Sequence, residues 1–175
     1  MSRLAYVIIL IVLALAFFIL LYSPRERSPL FLEVWDHIDG KVLEGSPRKL
    51  MIDFPTYRFN PDKGELSGFM DFDVNASHIL ILGMGHSLSG DAGGGVSSKL
   101  RAVDKLPFDL NNVKILKVDG DKVYLMYGGV NITLRPGEKW ETTKEYVESS
   151  DGSKIRFTEK ITIKNYGYVK LRPQP

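Results

Sequence analysis

The densest concentration of reactive residue types lies in Gly83-Met84-Gly85-His86-Ser87-Leu88-Ser89-Gly90-Asp91-Ala92-Gly93-Gly94-Gly95, directly after an apolar run. His86, Ser87 and Asp91 supply the three groups of a hydrolytic triad: an imidazole base, a hydroxyl nucleophile and a carboxylate to orient the base. The surrounding glycines resemble three catalytic or phosphate-binding turns, and each resemblance fails where its mechanism is strict. A nucleophile elbow needs G-x-S-x-G, and Ser89 occupies the second glycine position. A phosphate loop needs lysine after its last glycine, and Asp91 stands there and would repel the ligand. A dinucleotide fingerprint needs glycine where the chain has Leu88. The stretch therefore reads as a surface connector between strands. His86, Ser87 and Asp91 are its candidate ligand- or partner-binding residues, and none is assigned as catalytic.

Other clusters are weaker. Asp71-Phe72-Asp73-Val74-Asn75 imitates the start of a calcium loop, but Ala76 replaces the required glycine and Leu82 the closing glutamate. His37, His78 and His86 lack metal-ligand spacing, and the chain has no cysteine. No metal or other cofactor is expected. Trp35, Trp140, Tyr124, Tyr127, Tyr146, Tyr166 and Tyr168 offer either core packing or a sugar-stacking face. Arg156, Lys160 and Lys164 share one face of a strand that would be solvated or would meet anionic lipid or a surface polymer. Asn75-Ala76-Ser77 and Asn131-Ile132-Thr133 are glycosylation sequons.

These groups sit on a chain of 175 residues with a net charge of +2, from 23 basic and 21 acidic residues. Such balance gives no nucleic-acid footprint. Leu4–Tyr22 is wholly apolar and long enough to span a bilayer as a helix. Its apolar run continues past the small-x-small site Ala14-Leu15-Ala16, which favours an uncleaved anchor over a signal peptide. Residues 1–23 thus read as a single-pass anchor in the lipid bilayer, and 24–29, with Pro24 and Pro29, as a stalk. Residues 30–172 form a globular domain, with a possible sub-boundary near 107–112, and 173–175 a tail. The sequons place that domain outside the cytoplasm.

The domain must position its groups on strands, because its hydrophobic period after residue 40 is two. Leu66, Gly68, Met70, Phe72 and Val74 alternate with polar positions, and His78–Met84 reads as a central strand. Asp119-Gly120-Asp121, Pro136-Gly137 and Asp151-Gly152 mark turns. Ile155, Phe157, Ile161 and Ile163 share one face, and Tyr166–Leu171 reads as the last strand. Leu30–Ile38 fits either a short helix or an edge strand. The expected fold is all-β, an antiparallel sandwich or barrel-like domain after the transmembrane helix.

Ile132-Thr133-Leu134-Arg135-Pro136-Gly137-Glu138 resembles the L-x-P-G-E turn of immunoglobulin-like modules in archaeal and bacterial surface proteins. Ile161-Thr162-Ile163-Lys164-Asn165-Tyr166-Gly167 resembles the N-x-G strand end of the same modules. The resemblance covers 14 residues, in the reverse of the usual order, and implies a β-sandwich acting as spacer, adhesion unit or assembly surface. The expected function is a membrane-anchored, non-enzymatic binding or assembly module. A surface hydrolase using Ser87, His86 and Asp91, or a pilin-like subunit, are its alternatives.

Overall fold

A computed structural model describes residues 12–13, 28–48, 55–69, 79–110 and 112–172. Apart from Val12 and Leu13, which are helical, the segment Leu4–Tyr22 lies outside the described residues, as do Asp71, Asp73, Asn75 and His78. Among the described residues no helix is long and apolar enough to cross a membrane.

The domain is all-β, and its described residues form three sheets. Its framework is a five-stranded sheet of long strands: β1 (Leu30–Glu44), β4 (Leu80–Gly90), β5 (Gly95–Val103), β10 (Lys139–Ser150) and β11 (Ser153–Tyr168), in the order β10-β11-β1-β4-β5. A meander of β6 (Phe108–Leu110), β7 (Val113–Asp119), β8 (Lys122–Tyr127) and β9 (Val130–Leu134) forms a second sheet. The short strands β2 (Tyr57–Asn60), β3 (Glu65–Gly68) and β12 (Lys170–Arg172) make a third.

Period-two alternation divides the core between the two faces of the long sheet. On one face Leu30, Leu32, Val34, Leu80, Leu82, Ile161 and Ile163 meet Leu110, Val113, Ile115, Val123, Leu125, Ile132 and Leu134 of the four-stranded sheet. On the other, Phe31, Ile79, Ile81 and Leu100 meet Tyr57, Leu66 and Val169, close to the three-stranded sheet. Tyr57 and Tyr166 reach over this second core to hydrogen-bond the two carboxylate oxygens of Glu33, at 3.2 and 2.9 Å. Burial first, and then Glu33 through both its charge and its hydrogen bonds, push the two phenol pKa values upward.

Three expectations need correction. Leu30–Ile38 is neither a helix nor an edge: β1 is the central strand, its first half buried on both faces. The ladders are not all antiparallel, since β1 runs parallel to β4, and β12 to β3. The glycine-rich stretch is not a connector: Gly83–Gly90 belong to β4, and only Asp91–Gly94 turn. These glycines have a packing cause. A Cβ on Gly83 would run into the rings of Phe31 and Tyr57, and one on Gly85 would overlap the Trp35 indole, which lies across the strand. The turns at Gly120, Gly137 and Gly152 form as expected, as does the shared buried face of Ile155, Phe157, Ile161 and Ile163.

The two motifs of the immunoglobulin-like resemblance lock onto each other. Asn165 is fully buried; its amide donates to the carbonyls of Asp121 and Leu134, at 2.8 and 2.9 Å, and its side-chain oxygen accepts from Gly167 N–H at 2.8 Å. Gly137 N–H donates to the Asn165 carbonyl at 2.7 Å. This clasp ties the β7–β8 turn and the end of β9 to β11.

The indole-over-glycine contact predicts the result of a double-mutant cycle. Gly85→Ala should destabilise the folded chain by about 1–3 kcal/mol through overpacking. The same change in a Trp35→Ala background should cost much less, because the obstructing ring is gone. Urea midpoints of the four proteins measure the coupling, and equal costs in both backgrounds would refute the packing account.

Candidate functional site

The long sheet outruns the sheet that covers it. β1 and β11 have 15 and 16 residues, whereas no strand of the four-stranded sheet exceeds 7. Beyond the covered zone the same face carries a separate apolar cluster of Ile155, Phe157 and Ala92, with Ile38, Val42, Leu88 and Tyr146 packed on it. Between the two clusters lies a row of charged side chains. Asp36 interrupts the apolar series Val34…Ile38, His86 interrupts Met84…Leu88, and Glu159 interrupts Phe157…Ile161. Strand register brings the interruptions together: Asp36 pairs with His86 across β1 and β4, and with Ile161 on β11, two residues from Glu159.

This row opens into a pocket of about 250 Å³ between the sheets. Val34, Met84, Ile161, Leu110 and Val113 give it apolar walls, while Asp36, His86, Glu159, Asn112 and Tyr127 bring polar groups. Tyr127 is held in place by the Trp140 ring, at 5.3 Å between centroids. His86 Nδ1 lies 3.6 Å from Asp36 Oδ2. Glu159 is bound on its outer side by Lys144, 3.0 Å from Oε2. Asp36 Oδ1 is buried and has no hydrogen-bond partner. Burial, then the Glu159 charge, push the Asp36 carboxyl above its usual range; His86 opposes them. An unsatisfied buried acceptor costs about 1–3 kcal/mol, so Asp36 is an unfavourable residue for folding at this place.

The three residues of the alternative hydrolase reading are not brought together. His86 faces Asp36, on the face of the sheet opposite Ser87. Asp91 fastens the end of β1: its carboxylate accepts from Val42 N–H at 3.0 Å, and its own N–H donates to the Gly40 carbonyl at 2.7 Å. Ser87 instead shares a 2.6 Å hydrogen bond with His37 Nδ1. His37 Nε2 is 3.4 Å from Ser89 Oγ, which donates to Asp39 at 2.7 Å. This exposed chain differs from a triad in two ways. A serine, not a carboxylate, contacts the far imidazole nitrogen. Ser87 also lies within β4, paired with His37 on β1 and Val96 on β5, so the nearby backbone N–H groups are used by the ladders rather than free to form an oxyanion hole.

The aromatic residues are dispersed rather than gathered into one platform. Trp35 crosses Gly85, Tyr166 stacks on Phe31 at 5.2 Å, Tyr146 packs on Phe157 at 5.3 Å, and Tyr127 and Trp140 pair beside the pocket. Lys160 is paired with Glu141 at 3.2 Å, and Lys164 lies over the Tyr166 ring. Asn131 is exposed on β9, where a glycan has room. Among the described residues no three His, Asp or Glu side chains are placed to hold a metal ion. No protein-family model, curated protein or solved structure matches the chain.

Asp36 and Glu159 escape a reading of sequence that scans for motifs. Their signal is a break in period: one charged residue at an inward position of three strands that become neighbours.

The raised Asp36 pKa fixes a sign for stability against pH. Its folded value exceeds the unfolded value of about 4, so its contribution is fully present below pH 4 and is lost as pH rises through the folded value. Asp36→Asn removes that loss. The variant should match the wild type near pH 3.5 and have the higher thermal midpoint at pH 7. Thermal unfolding followed by circular dichroism at both pH values measures this, and a less stable variant at pH 7 would contradict it.

Proposed function

We propose that this chain is a membrane-anchored, extracytoplasmic, non-enzymatic binding module that holds a small ligand in the pocket between its long and four-stranded sheets. One observation carries the reading: two carboxylates, Asp36 and Glu159, line an open pocket with apolar walls, and Asp36 keeps one oxygen without a hydrogen-bond partner. Folding alone favours an apolar residue there, in series with Val34 and Ile38. The apolar segment Leu4–Tyr22 supports the anchor, and the sequons support display outside the cytoplasm. The resemblance to immunoglobulin-like surface modules agrees with a binding role.

The short His37–Ser87 hydrogen bond supports a second reading, a hydrolase with Ser87 as nucleophile. It requires an orienting carboxylate and an oxyanion site, neither of which accompanies this pair.

Two measurements on the full chain test the proposal. Alkaline carbonate washing should leave the chain in the membrane pellet, and release into the supernatant would remove the anchor. In detergent, a screen of small molecules should find ligands that raise the thermal midpoint. At 100 times its Kd a ligand adds about 2.7 kcal/mol, roughly 5–10 °C for a chain of this size. Met84→Trp, which fills the pocket, should abolish that shift. Esterase activity lost in Ser87→Ala would favour the hydrolase instead.

A further inference from the structure

We infer that the ligand of this pocket is a small organic cation, a primary ammonium on a short apolar tail. The head would lie at Asp36 and Glu159 and the tail against Met84, Leu110 and Val113. This rests on the binding reading above and specifies the chemistry of that same site.

Size comes first. A cavity of 150 Å³ accepts benzene, so about 250 Å³ suits roughly ten non-hydrogen atoms. That is far smaller than a peptide segment or an oligosaccharide.

Charge comes next. Among the described residues two carboxylates line the pocket, and no lysine or arginine does. Lys144 approaches Glu159 at Oε2 from β10 and is not part of the pocket wall. His86 Nδ1 faces Asp36 Oδ2, and Oδ1 has no partner. The two carboxylates that line the pocket repel each other. An ammonium beside them offers three donors and a positive charge, and so lowers the repulsion between Asp36 and Glu159. A hydroxyl donates but leaves the repulsion, and an anion increases it. Tyr127 presents an aromatic ring, whose face attracts cations and not anions.

Shape assigns the remainder of the ligand. The carboxylates lie on the long sheet at Asp36 and Glu159, while Leu110 and Val113 of the facing sheet, with Met84 two residues along β4 from His86, supply apolar wall. A molecule polar at one end and apolar at the other matches this division. The flexible thioether of Met84 adapts to different tails.

The test uses the full chain in detergent at pH 7, with two matched series measured by ligand-observed NMR. One is hexylamine, 1-hexanol and hexanoate; the other is 2-phenylethylamine, 2-phenylethanol and phenylacetate. At least one amine should bind at least tenfold more tightly than its alcohol, and carboxylates should bind least. Asp36→Asn should weaken the amine at least tenfold, Glu159→Gln severalfold, and His37→Ala, on the other face, not at all. An alcohol or carboxylate that binds as tightly as its amine, in competition with Met84→Trp, would overturn the cation and leave the binding pocket standing. Amine binding unaffected by Asp36→Asn and Glu159→Gln would overturn this placement. If no amine binds, the inference fails; if the broader screen also finds nothing, the binding reading fails with it.

Discussion

The structure depends on a mismatch of length. The strands β1, β4, β10 and β11 are 11 to 16 residues long, yet the four-stranded sheet that covers one face has strands of at most 7. A sheet face left uncovered must either become polar or find another cover. This one does both. Ala92, folded back onto Gly40 by the Asp91 turn, helps to cover the distal apolar cluster, and a row of charges fills the zone where water first reaches the sheet. The pocket lies at that boundary, where the facing sheet ends and a polar row begins.

The boundary also separates roles that look adjacent in sequence. His86 and Ser87 are consecutive, so the pleat sends them to opposite faces. His86 joins Asp36 in the pocket, while Ser87 joins His37 on the exposed face. A strand cannot bring neighbouring residues into one hydrogen-bonded triad; it brings together residues at matching register on different strands. Asp36 and His86, fifty residues apart, are partners for that reason. Backbone geometry keeps His86, Ser87 and Asp91 apart, and the same geometry brings His86 to Asp36.

Much of the fold was legible because a strand with one buried face writes its period into the sequence. Ile155, Phe157, Ile161 and Ile163 announced the inward face of β11, and glycine-bearing turns announced the hairpins. What was hidden depended on non-local facts. The first half of β1 has no alternation because both its faces are buried, so Leu30–Ile38 resembled a helix as much as a strand. Gly83 and Gly85 looked like loop residues because the rings that require their bareness come from Phe31, Trp35 and Tyr57, far away in sequence. Parallel pairing of β1 with β4 leaves no local mark, since no tight turn connects them. The site was hidden similarly: His86 stood out in sequence beside Ser87, whereas Asp36 and Glu159 each look like an ordinary surface residue until register aligns them with it.

The clasp at Asn165 shows why this pocket has a defined shape. A buried amide that lost its partners would be costly, so the β7–β8 turn at Asp121 and the end of β9 at Leu134 are held at one distance from β11. That fixes the four-stranded sheet at the end of the core farthest from the charged row. From there the apolar contacts of Ile132, Leu125 and Ile115 carry the constraint across the sheet to Leu110 and Val113, which line the pocket. Apolar packing is non-directional and would by itself allow the sheets to slide; directional hydrogen bonds to one buried side chain remove that freedom. The pocket is thus positioned by two kinds of interaction in series. A polar clasp sets the register of the sheets, and a close-packed core transmits it to the place where Asp36 lacks a donor.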